Sequence, residues 1–252
     1  MNSLRAFKTL LRFSFLRLFW SVNTMMVLLP VVGCFLFVLR RGFGKITPPE
    51  NAFDAFGTFL VFIFSSFLIP ICALGFGTTA LGAEREEQTL VFLLTRPIPR
   101  WQVLLAKILA SLPLSCGIVM TSFALYCLLV GSIGLKAFLI YWPAMLGMTI
   151  AYVALFQLFA VVFRHPTMLA LVYALVIELF VGNLPGSIKR LAINFYGRSL
   201  IYGLGITEGL KTPRGFEGIP AAQAYWTLAG ITGGCLFAAF LLFQWKEYRD
   251  TP

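Results

Sequence analysis

The chain alternates between long runs without charged residues and short charged segments. The runs are continuously apolar, whereas the strands of a membrane β-barrel alternate between apolar and polar positions over about 10 residues. A helix needs about 20 apolar residues to cross the hydrocarbon of a bilayer. The pattern therefore predicts six transmembrane helices, which place both termini on one side. The predicted spans are about 19–39, 55–82, 108–133, 138–163, 166–186 and 221–245.

Composition leads to the same class of protein. Of the 252 residues, 59% are hydrophobic and 12% are charged, whereas a soluble domain has about 25% charged residues. The net charge of +10 does not indicate a nucleic-acid partner, because the basic residues lie between apolar runs, where loops contact the lipid bilayer. We therefore expect an all-α polytopic membrane protein.

The segment before the first apolar run is amphipathic. Arg5, Lys8 and Arg12 fall within one arc of a helix, and the apolar counterpart consists of Leu4, Phe7, Leu11, Phe15 and Leu18. This arrangement predicts a helix over about residues 3–18 that lies on the membrane surface, with these three cations facing lipid headgroups. The charge distribution supports a cytoplasmic N-terminus, because eleven Lys and Arg residues fall on that side and nine on the other.

The sequence contains no pattern for catalysis or metal binding. The five cysteines lie inside apolar runs without metal-ligand spacing, and the chain has one histidine. Gly44-Lys45 lacks the Ser or Thr and the upstream Gly of a phosphate-binding loop. We therefore expect a chain that is not an enzyme and that binds no metal or cofactor itself.

The segment from Glu84 to Lys107 contains the densest group of charged residues. Glu84-Arg85-Glu86-Glu87 follows an apolar run directly, and Pro97 and Pro99 end a short apolar stretch. Such a segment can form a short helix on the membrane surface, with its acidic residues at the N-terminal end. The alternative is an ordinary charged loop.

This segment resembles the signature of the ABC-2 type permeases, the membrane subunits of ATP-binding-cassette exporters. The family pattern runs Glu-Arg-Glu-x-Gly-Thr-Leu, then Leu-Leu, then Pro and a basic residue. Here it reads Glu84-Arg85-Glu86-Glu87-Gln88-Thr89-Leu90, followed by Leu93-Leu94, Pro97 and Arg100. Gln88 departs from the usual Gly, and Val91 replaces a frequent acidic residue.

The resemblance implies how the chain is organised. It implies one ABC-2 type transmembrane domain over residues 1–252, a connecting helix at about 3–18 and a coupling helix at about 84–96 that docks on a separate ATPase. The outer loop 187–220 would contain a re-entrant segment at 188–204, before the last span. The implied ATPase-docking residues are Glu84, Arg85, Glu86, Glu87, Thr89, Leu90, Pro97 and Arg100, with Arg164 and His165 as a second cytoplasmic contact.

The resemblance also implies a function and partners. The chain would be the permease subunit of an exporter in a prokaryotic plasma (inner) membrane, with both termini cytoplasmic. It would work with a second permease copy or a paralogue, and with an ATPase subunit that binds ATP and Mg. Two alternatives are a non-transporting membrane anchor or assembly factor, and a secondary carrier, for which only Glu178 offers a mid-membrane ionisable group.

Glu178 is the one charged residue inside the fifth predicted span. It follows Pro166 by 12 residues, which corresponds to about 18 Å along an α-helix. A carboxylate at this depth normally faces a cavity or a partner. It is therefore a candidate pathway or gate residue, or alternatively one half of a structural pair with a basic residue such as Lys189.

Overall fold

A computed structural model of the protein describes residues 3–41, 52–86, 99–184, 186–206, 210–213 and 216–246. Across these ranges the chain is mainly helical and contains no strand. The α-helices are α1 (Ser3–Phe19), α2 (Val22–Arg41), α3 (Ala52–Phe59), α4 (Ile69–Gly77), α5 (Thr79–Glu86), α6 (Arg100–Val130), α7 (Ser132–Val162), α8 (Pro166–Val172), α9 (Ile193–Gly205) and α10 (Ala221–Trp245). The π-helical segments are Leu60–Leu68 and Tyr173–Phe180, and the 3₁₀ segments are Val181–Asn183 and Ser187–Leu191.

Four of the described helices are long and apolar enough to cross a membrane, namely Phe53–Gly77, α6, α7 and α10. The pair α1 and α2 is bent by 50° and adds a fifth span if the two helices cross together. Pro166–Phe180 is apolar but shorter than a full span. The prediction of an all-α polytopic membrane protein is confirmed, whereas the count of six spans stays a prediction.

The break between α1 and α2 has a local cause. The hydroxyl groups of Ser21 and Thr24 donate hydrogen bonds to the carbonyl oxygen of Leu18, over 2.8 and 2.6 Å. The backbone N–H of Ser21 also donates to this oxygen over 3.3 Å, so a turn with side-chain hydrogen bonds replaces the next helical turn at the end of α1. The chain therefore changes direction at Trp20 and Ser21, close to the predicted boundary between the surface helix and the first span.

Helix α7 is the centre of the bundle and packs against α4, α6, α9 and α10. Its inward face combines small residues with large aromatic ones, such as Ala144 and Ala151 beside Tyr152 and Phe156, all at most 1% exposed. Small residues allow close approach of neighbouring helices in a membrane protein. The neighbouring helices can therefore pack closely around α7.

The bundle has two distinct ends. The N-terminal end combines α1 and α5 with the start of α6 and the last turns of α7 and α10, and its apolar core contains Leu81, Val103 and Phe243. The opposite end contains the start of α3, the turn between α6 and α7, and α9. There the backbone N–H of Lys211 donates to Asp54 Oδ1 over 2.8 Å.

Candidate functional site

Glu84 joins three helices at the N-terminal end. It lies in the last turn of α5 and is 7% exposed. Lys107 Nζ, on α6, donates a hydrogen bond to Glu84 Oε1, and Arg17 Nη1, on α1, lies 3.6 Å from the same oxygen. Both side chains are buried, with 3% exposure for Lys107 and 9% for Glu84. The Glu84 carboxylate is therefore neutralised by cations of its own chain.

The surface helix expected for the charged segment stays a prediction, because most of it lies outside the described residues. Glu84 and Arg85 themselves lie in the last turn of α5, Thr79–Glu86. A carboxylate in a last turn faces the negative end of the helix dipole. The two cations beside Glu84 offset this unfavourable interaction.

Arg85 and Lys246 bind the C-terminal end of α7. Arg85 Nη1 donates to the carbonyl oxygens of Ala160 and Val161, both over 3.3 Å, and to that of Phe163. Lys246 Nζ donates to Val161 O over 3.5 Å and also to Val162 O. The last carbonyl groups of a helix lack intrahelical partners and carry partial negative charge, which favours cations there.

The two cations also influence one another. Partial burial and the nearby charge of Arg85 lower the pKa of Lys246 below its ordinary value. Lys246 nevertheless keeps hydrogen bonds to the same turn of α7 that Arg85 contacts. The end of α7 is therefore held by α5 and by the segment that follows α10.

Arg100 connects the start of α6 to the end of α10. Its Nη1 atom donates to the carbonyl oxygens of Gln244 and Lys246, over 3.4 and 3.1 Å. Arg100 thus binds the C-terminal end of α10 in the way that Arg85 binds the C-terminal end of α7. Together the three groups of contacts form a polar cluster at the N-terminal end, which we call the helix-end cluster: Arg17, Glu84, Arg85, Arg100, Lys107 and Lys246.

The second predicted cytoplasmic contact lies beside this cluster. Arg164 and His165 are exposed in the turn between α7 and α8. A Cβ atom at Gly82 of α5 would lie 2.7 Å from Pro166 Cγ, so the two segments touch closely there. In addition, Thr167 Oγ1 donates to Thr78 Oγ1 over 3.3 Å. The structure therefore brings the two predicted contact segments together, although 78 residues separate Glu86 and Arg164 in sequence.

The structure describes only some of the other predicted site residues. Glu87, Thr89, Leu90 and Pro97, and most of the predicted coupling helix, lie outside the described residues, as do the side chains of Glu86 and Arg5. Lys8 and Arg12 are exposed on α1, while Ser14 and Leu18 on the same helix are buried. The lipid-facing role of the α1 cations stays a prediction.

Glu178 lies far from this cluster and has an unexpected partner. Its Oε1 and Oε2 atoms accept hydrogen bonds from the backbone N–H groups of Ile193 and Asn194, over 3.0 and 2.9 Å. The carboxylate is fully buried. The suggested pairing with Lys189 is not formed, since Lys189 Nζ instead lies 5.3 Å from the centroid of the Phe195 ring.

Sequence reasoning missed Arg17, Lys107 and Lys246 as members of the helix-end cluster. Lys107 gave the clearest signal, because it directly precedes a long apolar run and lies well inside α6. A charged residue in such a place requires a partner. Nothing in the local sequence identified that partner as Glu84, which is 23 residues away.

These features define an integral membrane protein with an all-helical bundle and a polar cluster that ties its helix ends together on one side. Residues 13–212 match the family model described as ABC-2 family transporter protein. The chain therefore belongs to the ABC-2 transporter family and is a permease subunit of an ABC transporter, as the charged motif predicted. No curated protein matches the chain.

Proposed function

We propose that the chain is the permease subunit of an exporter and that a separate ATP-binding-cassette ATPase docks at its N-terminal end, on the cytoplasmic side. The observation that carries this proposal is the position of Arg85. Its guanidinium group contacts the last turn of α7, and through it the turn with Arg164 and His165. One side chain therefore joins the two segments that the resemblance assigns to ATPase docking.

The geometry supports coupling because the proposed docking surface is attached to several helices at once. Glu84 connects α5 to α6 and α1, and Arg100 connects α6 to α10. A force applied to the segment between α5 and α6 would therefore act on the helix bundle as a unit. Rigid-body movement of packed helices is an established way to convert a local contact into a change of access.

In this proposal ATP and Mg²⁺ bind to the partner ATPase, and this chain provides the path through the membrane. A second permease, either an identical copy or a paralogue, would complete the path, with both termini cytoplasmic. Alternating access between the two permease subunits would move the substrate outward. A membrane anchor without transport activity would need no such coupling to ATP hydrolysis.

The docking proposal is best tested with exposed residues, because changes in the helix-end cluster would also alter the fold. Arg164→Glu reverses a charge at the proposed contact, and Lys136→Glu reverses an exposed charge near the start of α7, at the opposite end of the bundle. The wild-type chain and both variants would be co-expressed with a candidate ATPase of the same genome, purified and assayed for bound ATPase and ATP hydrolysis.

We expect Arg164→Glu to lose most of the bound ATPase, because charge reversal in an interface costs several kcal/mol. Lys136→Glu should keep wild-type binding. If both variants retain the ATPase equally, or both lose it equally, the proposed docking end is wrong. A wild-type chain that leaves ATP hydrolysis unchanged in the reconstituted complex would favour the membrane-anchor alternative.

A further inference from the structure

Helix α9 is a short helix buried at the opposite end of the bundle. It packs against α7, α10 and the π-helical segment Leu60–Leu68. Most of its residues are buried, including the polar Asn194 and Ser199, each 1% exposed. Because the backbone groups at the ends of a buried helix cannot all reach water, they need partners within the protein.

The N-terminus of α9 has no capping side chain of its own. Ala192 occupies the N-cap position with extended backbone angles, φ −84° and ψ 132°. Those angles suit an N-cap, but alanine has no side-chain acceptor and is among the poorest residues there. The first N–H groups of the helix therefore depend on an acceptor from another part of the chain.

Glu178 supplies that acceptor from the π-helical segment Tyr173–Phe180. Each of its carboxylate oxygens accepts one N–H group of the first turn, from Ile193 and from Asn194. Hydrogen bonds to an ionised acceptor are the stronger kind, and a negative charge at a helix N-terminus is favoured by the helix dipole.

A second anchor holds the same turn. Asn194 Nδ2 donates to Ser66 Oγ over 2.9 Å, and Ser65 Oγ donates to Asn194 Oδ1. Both serines belong to the π-helical segment Leu60–Leu68, so each anchor of α9 comes from a π-helical part of a different helix. π-Helical turns occur frequently at functional sites.

We propose that Glu178 is a positioning residue that caps α9 in trans and fixes this helix to the helix Pro166–Phe180. Both carboxylate oxygens accept backbone N–H groups of α9 and the residue is buried, so the carboxylate serves as the cap of this helix. The other end of Pro166–Phe180 contacts α5 at Gly82 and Thr78. The helix Pro166–Phe180 thus connects the proposed docking end to α9. Any use of this connection in transport rests on the proposed function, whereas the capping of α9 by Glu178 does not rest on it.

The cap can be tested by hydrogen–deuterium exchange on the purified full-length chain in lipid nanodiscs, without ATPase or substrate. Glu178→Gln replaces one acceptor oxygen by an NH₂ group. This group is a hydrogen-bond donor, so it cannot accept the backbone N–H that the oxygen accepted. We expect peptides that cover the start of α9 to exchange about tenfold faster or more. Peptides from the middle of α7 should be unchanged. Glu217→Gln, an exposed acid at the same end, is the matched control and should exchange as the wild type does.

A second substitution separates capping from general stability. Ala192→Ser places a hydroxyl acceptor at the N-cap position, where the backbone already has suitable angles. In the Glu178→Gln background it should restore most of the protection of α9. Ala192→Cys has nearly the same volume but only a weak acceptor, so it should not restore protection.

The cap can still be tested if Glu178→Gln reduces expression. In that case adding Ala192→Ser to Glu178→Gln, but not adding Ala192→Cys, should restore the yield of monodisperse protein. Unchanged exchange in Glu178→Gln would overturn the proposal. Equal rescue by serine and cysteine, or rescue by neither, would also overturn it. None of these results depends on ATPase docking, so a failure of the cap and a failure of the proposed function can be told apart.

Discussion

The ion pair between Glu84 and Lys107 leads to the sharpest stability prediction. Lys107→Met removes the charge but keeps an unbranched apolar side chain, so Glu84 loses its buried cation and keeps the longer contact with Arg17, whose side chain is 37% exposed. Removing one partner of a buried ion pair costs about 3–5 kcal/mol, because the other charge stays buried. For a chain of this size that loss corresponds to a fall in the midpoint of thermal unfolding of about 10 °C.

The measurement is thermal unfolding of the purified chain in one detergent at one pH, followed by intrinsic fluorescence. Glu84→Leu combined with Lys107→Met removes both charges and should recover most of the loss, since an apolar pair of similar volume replaces a buried ion pair at little or no cost. Arg17→Ala should lower stability by less than about 1 kcal/mol, as expected for a partly exposed ion pair. If the double variant is no more stable than Lys107→Met, the loss does not come from a stranded carboxylate and the reasoning fails.

Three further predictions test packing, helix-end contacts and topology. Gly134→Ala should destabilise the chain by about 3 kcal/mol, because its Cβ would lie 2.0 Å from a backbone oxygen. The control Gly117→Ala has open space around the new Cβ and should stabilise the chain by about 0.5–1 kcal/mol. Equal thermal unfolding midpoints of the two variants would contradict this prediction. Arg85→Ala should lower the free energy of unfolding by about 1.5–3 kcal/mol, because it removes hydrogen bonds to the end of α7. An equally large loss with Arg85→Lys would show that the geometry of the guanidinium group matters more than its charge. In a cysteine-free background, a membrane-impermeant maleimide added outside the cell should label a cysteine at Lys211 and not one at Arg164; the reverse pattern would invert the proposed orientation.

The apolar runs were sufficient to predict the long helices. A stretch of more than 20 uncharged residues has few alternatives in a membrane, because every backbone polar group must be satisfied within the segment. The helices nevertheless extend beyond the runs: α6 begins at Arg100, eight residues before the predicted span. Charged residues can enter a helix end when they have partners, and the partners of Arg100 and Lys107 lie on other helices.

The site could be predicted only as a segment and not as a set of contacts. The motif located Glu84, Arg85 and Arg100, but their partners are separated from them by 23 to 146 residues. No periodicity encodes contacts of that range, and several of them end on backbone carbonyl groups, which carry no sequence signal. The same reason explains Glu178, whose partners are the backbone N–H groups of a helix that starts after an alanine.

The helix-end cluster changes how mutations in the charged motif should be interpreted. Glu84, Arg85 and Arg100 are bound to other helices of their own chain, whereas Arg164 and His165 are exposed beside them. A substitution of the first group disturbs the bundle even if the residue never touches an ATPase. A defect in ATPase binding is therefore directly informative about docking at Arg164 and His165. At Glu84, Arg85 and Arg100 it must be corrected for the loss of folded protein, because folding and coupling depend there on the same contacts.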